Sequence, residues 1–123
     1  MLNKIEKLKR PKLTQGTTTK IATGCGNLYV TVSKSNENII EIFMVLGKVG
    51  GCSRAQGEAL SRSISLGLKY GIPLEEYIDE LKEIRCQIPI WEDGEQILSC
   101  ADAIAKVFKI EVDKDNDEEK TNT

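Results

Sequence analysis

From residue 28 to residue 32 the chain alternates strictly: Leu28, Val30 and Val32 share one side, Tyr29 and Thr31 the other. A two-residue period is the mark of a strand with one buried face. The stretch TTTKIAT before it reads as a second strand, and Gly24-Cys25-Gly26 separates the two. After the polar turn Ser35-Asn36-Glu37-Asn38 comes IIEIFMVLG, whose apolar density predicts a strand covered on both faces. Together these segments predict an antiparallel meander of three strands.

Gly47-Lys48-Val49-Gly50-Gly51 breaks the alternation, and the period then lengthens. Residues 54–70 read as a helix carrying Ala55, Ala59, Leu60, Ile64 and Leu68, with Cys52 or Ser53 as its N-cap. Gly57, Ser61 and Gly67 would let another element approach closely, whether a neighbour in the fold or a partner molecule. Gly71 fits the stop and Pro73 the next start. In residues 74–84, Leu74, Tyr77, Ile78, Leu81 and Ile84 form one stripe of an amphipathic helix. QIPIWEDGEQIL predicts a loop or a short hairpin turning at Asp93-Gly94, and Pro89 argues against a central strand there. Ser99 offers an N-cap for a last helix with Ile104, Val107 and Phe108, and Asp102 suits the dipole in its first turn. The fold class expected is α+β, a three-stranded antiparallel sheet followed by about three helices. Its organisation is a basic arm (1–13), one domain (14–112) and an acidic disordered tail (113–123).

Composition narrows the function. A chain of 123 residues, 40% hydrophobic and 29% charged, is one ordinary globular domain. No apolar run approaches the roughly 18 residues of a membrane span, and the basic start has no apolar core, so a cytoplasmic setting is expected. The net charge of −2 conceals Lys4, Lys7, Lys9, Arg10 and Lys12 at one end and Asp113, Asp115, Asp117, Glu118 and Glu119 at the other. Such runs read as solvated tails. With little basic excess elsewhere, nucleic acid is not the expected partner. The chain has no histidine, so neither a Ser-His nor a Cys-His nucleophile pair can be built within it. No Walker or G-x-G-x-x-G loop is present. No catalytic residue is predicted, and Asp102 with Glu58 would make a carboxylate pair only if the fold joined them.

The four cysteines are the one evident chemical constellation. Cys25 lies in a Gly-Cys-Gly turn, Cys52 at a helix start, Cys86 past a helix end, and Cys100 after the Ser99 cap. Four thiolates on turns would satisfy tetrahedral zinc, and the two at helix starts would have lowered thiol pKa values. No C-x-x-C knuckle is present. The pattern alone therefore leaves zinc, small buried hydrophobes, disulfides and a redox pair all open. A second feature is the turn before the first helix, where Lys48, Gly50, Gly51 and Arg54 would cradle a phosphate-bearing ligand.

RPKLTQGTTTKIATGCGNLYVTV, GKVGGC, ALSRSISLGLKYGI, IRCQIP and ILSCADAIAK, in this order, resemble the TSCPD domain over residues 10–108. That domain is known from the C-terminal part of cobalamin-dependent ribonucleotide reductases and from short stand-alone proteins. Its name-giving Thr-Ser-Cys-Pro-Asp corresponds to Leu98-Ser99-Cys100-Ala101-Asp102, which keeps the Ser, Cys and Asp. The resemblance implies one structural zinc per chain on Cys25, Cys52, Cys86 and Cys100. It also implies a non-catalytic accessory or interaction module that acts on a protein partner, ribonucleotide reductase among the candidates. The alternative expected is a self-associating binder of a nucleotide or other phosphate ligand.

Overall fold

The computed structural model describes residues 6–47 and 51–121, with side chains as far as Lys114. Three strands, β1 (Gln15–Thr23), β2 (Gly26–Ser35) and β3 (Asn38–Leu46), form an antiparallel sheet in the order β1-β2-β3. Leu28, Val30 and Val32 are fully buried on its inner face, as the alternation predicts. The expectation that β3 is covered on both sides is corrected. Ile40, Ile42, Met44 and Leu46 are buried, whereas Phe43 and Val45 stand 57% and 41% exposed on the outer face. β3 is an edge strand, and of its outer-face residues Glu41 is met by Arg10 while Phe43 and Val45 stay open to solvent.

Helix α1 (Gly51–Lys69) packs along β3. It begins earlier than expected, so Cys52 and Ser53 lie inside its first turn and neither is the N-cap. Two of its serines explain the close approach. Ser61 Oγ accepts the backbone N–H of Met44 (3.2 Å); Ser65 Oγ accepts that of Ile42 (3.0 Å) and donates to the Ile42 carbonyl (2.9 Å). These are groups that an edge strand leaves without a ladder partner, and buried backbone groups must find one. Gly57 and Gly67 serve the same packing. A Cβ on Gly57 would press on Met44, and one on Gly67 would collide with the Tyr77 hydroxyl. The small-residue face is thus filled by the chain's own elements.

α1 ends in a Schellman turn, with Ile72 N–H on the Gly67 carbonyl, Gly71 N–H on that of Leu68, and Gly71 at φ +93°. Helix α2 (Leu74–Leu81) follows Pro73 and packs on helix α3 (Cys100–Thr121). It stops three residues short of the expected end because Lys82 is extended and Glu83 turns left-handed (φ +66°). Between these helices a short hairpin, β4 (Ile90–Glu92) and β5 (Glu95–Ile97), turns at Asp93-Gly94 as predicted. Ser99 caps α3 as expected, its Oγ accepting the Asp102 N–H at 3.1 Å. α3 buries Ala103, Ile104, Val107 and Phe108 against the sheet. Its helical backbone runs on to Thr121, so residues 113–121 extend α3 where the acidic pattern predicts a disordered tail.

The basic arm is not simply solvated. Leu8 donates its N–H to the last carbonyl of α1, that of Lys69 (2.9 Å), and Arg10 pairs with Glu41 (2.7 Å). Midway along α3, the buried Glu111 accepts the Thr17 hydroxyl (2.8 Å) and lies within ion-pair range of Lys34 and Lys114. Among the described residues, no helix is long and apolar enough to cross a membrane.

Candidate functional site

Three chain segments meet beside the β1–β2 turn. Thr23, the last residue of β1, is buried, and its hydroxyl is the centre of the arrangement. It donates to the Gly26 carbonyl (2.8 Å), accepts the Cys25 N–H (3.2 Å), and accepts the Cys100 thiol at 3.7 Å. One donor and two acceptor positions are all that a threonine hydroxyl has. The turn is packed from above by the segment after α2, so closely that a Cβ on Gly24 would meet the Ile88 carbonyl.

Cys86 lies in that upper segment. Its N–H bonds to the Leu98 carbonyl (2.9 Å), and its sulfur accepts the Ile88 N–H (3.4 Å). Asp102 fixes the frame that carries both Cys86 and Cys100. Its buried carboxylate accepts the Glu83 N–H on one oxygen (2.8 Å) and the Leu98 N–H on the other (3.0 Å), with Lys106 at 3.4 Å. Burial alone would raise its pKa, but the two backbone donors and Lys106 outweigh burial and hold the carboxyl below its ordinary range. Lys106 also reaches Glu95 on β5 (3.3 Å), and Glu92 on β4 accepts the Ala22 N–H (2.7 Å), which ties the hairpin to β1.

The result brings Cys25, Cys86 and Cys100 together. Burial raises the Cys100 thiol pKa most, the Thr23 hydroxyl opposes this, and charge on Cys25 and Cys86 raises it further. The expectation that a helix start lowers this pKa is therefore corrected, because desolvation and two neighbouring sulfurs dominate.

Cys52 stands apart. It is exposed in the first turn of α1 and is not among the groups that act on Cys100. It nevertheless enters from the same end of the sheet: Gly47 N–H bonds to the Asn27 carbonyl (3.0 Å), beside the Cys25 turn. All four cysteines are free, Cys25 and Cys52 exposed, Cys86 and Cys100 half-buried. The reading of all four as buried core thus fails for two of them. Among the described residues, no group of three or more His, Cys, Asp or Glu side chains is arranged to hold a metal ion. The donor chemistry of the converging trio does suit a soft cation such as zinc, with thiolates as its preferred ligands.

Of the phosphate cradle, Lys48 and Gly50 lie outside the described residues; Gly51 and Arg54 are exposed at the start of α1. Glu58 pairs with Arg62 (3.8 Å) on the exposed side of α1, so Glu58 and the buried Asp102 form no carboxylate pair. Thr23 and the scaffold role of Asp102 were not foreseen from the sequence. Their partners lie across the fold, and the nearest hint was the shared Ser-Cys-x-Asp block.

A three-stranded meander backed by helices around one apolar core defines a small α+β module. The family model of the TSCPD domain matches residues 4–112, and the chain belongs to that family. It is 39% identical over 75 residues to a vitamin B12-dependent ribonucleotide reductase of Agrobacterium fabrum, covering 60% of this chain and 6% of that protein. Against the enzyme of the same name from Streptomyces clavuligerus the identity is 27% over 100 residues, covering 80% and 10%. The match to that of Streptantibioticus cattleyicolor is also 27% over 100 residues and covers 17% of that protein. The chain thus spans a small fraction of the length of these curated relatives. No solved structure matches it.

Proposed function

We propose that this chain is a zinc-stapled, non-catalytic accessory module that docks on a larger protein, a vitamin B12-dependent ribonucleotide reductase being the favoured partner. The observation that carries the metal half is that Cys25, through its N–H, and Cys100, through its thiol, share the buried Thr23 hydroxyl, with Cys86 near enough to act on Cys100. A bound zinc would cross-link the β1–β2 turn, the segment after α2 and the start of α3. Coupling of that kind makes metal binding part of folding stability. The partner half rests on the relatives, in which the matching segment is a small part of a long reductase chain.

Metal content of the purified, untagged protein, measured by plasma mass spectrometry with a thiol titration in denaturant, tests the first half. About one zinc per chain is the expected result for a thiolate site, with all four thiols titratable. Metal-free protein with four free thiols would remove the staple, and fewer free thiols would turn attention to redox chemistry. Co-elution with a purified vitamin B12-dependent ribonucleotide reductase on size exclusion tests the second half, and separate elution at micromolar concentration counts against it.

A further inference from the structure

The two edges of the sheet are left in different states. Along β3 the outward groups of Ile42 and Met44 meet Ser61 and Ser65. Along β1 only the end is met, where the Ala22 N–H reaches Glu92 (2.7 Å) and so points away from β2. In an antiparallel ladder that direction repeats every second residue, which turns the N–H and C=O of Gly16, Thr18 and Lys20 outward too. Among the described residues these outward groups have no partner. Natural edges are usually guarded by a bulge, a proline or several charges. β1 is 9 residues long in unbroken register, without proline and with Lys20 as its one charge.

We infer that this edge is an interface with a second copy of the chain, the two β1 strands pairing antiparallel about a two-fold axis at Thr18. The inference does not rest on the metal. A two-fold interface must be complementary to itself, and this edge is so in two respects. Pairing about Thr18 sets Lys20 of each copy against Gly16 of the other, so the one charged side chain meets a residue that has none. The second respect lies beneath the sheet. Helix α3 runs antiparallel to β1, from Cys100 beside Thr23 to Glu111 on the Thr17 hydroxyl. Lys109, Ile110 and Asp113 line a groove of about 350 Å³ with Thr19, Lys20 and Ile21, and Ile110 is 43% exposed there. The same two-fold lays the two α3 helices side by side and antiparallel. Ile110 then meets its own copy near the axis, and Lys109 of each copy comes opposite Asp113 of the other. A foreign strand would find the open ladder without the matching helix.

Sedimentation velocity and amide hydrogen exchange of the full chain test this together. The wild type should sediment as a dimer, and protection of the Gly16, Thr18 and Lys20 amides should rise with protein concentration. Asp113→Lys sets like charges across the axis and should leave a folded monomer. Adding Lys109→Asp to it restores opposite charges and should restore the dimer, a rescue that general misfolding does not produce. Thr18→Pro removes the central outward N–H, a change that edge strands tolerate, and should also give a monomer with an unchanged circular dichroism spectrum. A wild type that stays monomeric at submillimolar concentration overturns the inference. So does a dimer that survives Asp113→Lys, or protection of β1 that ignores concentration. A monomer that binds purified vitamin B12-dependent ribonucleotide reductase, and loses that binding in Thr18→Pro, assigns the edge to that protein; self-pairing is then overturned and the docking proposal stands.

Discussion

Two helices of this molecule carry a cysteine in their first turn, and the two starts are built differently. At the start of α3, Ser99 caps the helix and Asp102 holds the backbone of Leu98 and Glu83, so Cys100 projects from a frame bonded on every side. At the start of α1 the first turn contains no acidic residue, and Cys52 is exposed to solvent. Both cysteines have the helix-start position that sequence reading associates with a reactive or ligating thiol. What separates them is the hydrogen bonding of the neighbouring chain, which fixes one sulfur beside two others and leaves the second apart. A helix terminus supplies a field; a site also needs the segments around it held in place.

The strongest way to break this contrast is to remove the Asp102 carboxylate. Asp102→Ala takes away the acceptor of the part-buried Glu83 and Leu98 N–H groups, and at about 0.5–1.5 kcal/mol for each bond the loss should reach about 1–3 kcal/mol. Urea unfolding of the metal-free protein measures it, and a shift under about 1 kcal/mol would show that the frame does not depend on this side chain. The same variant should lose zinc more readily than the wild type, because Cys86 and Cys100 would no longer share a fixed scaffold.

Thr23→Val keeps the shape and deletes the hydroxyl at the centre of the trio. It should cost about 1–2 kcal/mol, since the Cys25 N–H and the Gly26 carbonyl lose their partner. Thermal unfolding of the two proteins side by side reads this directly. Ser99→Ala removes one cap bond and should cost about 1 kcal/mol, the usual value for an N-cap serine. The smallest effect belongs to the other helix: Cys52→Ser should leave metal-free stability within about 0.5 kcal/mol, as for exposed sites without special contacts. Brief iodoacetamide labelling of the native metal-free protein sharpens the contrast without mutation. Cys52 and Cys25 should label ahead of Cys100, whose half-buried thiol has a raised pKa, and faster labelling of Cys100 would contradict its placement.

The meander was legible because Leu28, Val30 and Val32 alternate with polar neighbours, and the Schellman stop was legible in Gly71 and Pro73. β3 was misread for a physical reason. Phe43 and Val45 have the composition of core, and only their place on the outer face of an edge strand leaves them in water. The buried face of α1 was only half visible, since Ser61 and Ser65 do not look apolar and their partners are backbone atoms of β3. α2 was overrun because the stripe continues to Ile84, whereas Asp102, far along the chain, draws the Glu83 N–H out of helical geometry. For the cysteines, spacing carried little and family resemblance carried the set. The structure draws three of them together by bonds to Thr23, Leu98 and Ile88 that no local pattern encodes.

The serine contacts of α1 also bear on how this protein behaves in a crowded solution. An open strand edge invites pairing with another chain, which is how many sheet proteins begin to aggregate. Ser61 and Ser65 occupy the outward groups of Ile42 and the outward N–H of Met44, so a foreign strand finds no free ladder along the middle of β3. On the opposite side, Glu92 takes the N–H of Ala22 near the end of β1. The two serines thus contribute to solubility as well as to folding, and replacing them with alanine would open a template for self-assembly before it unfolded the protein.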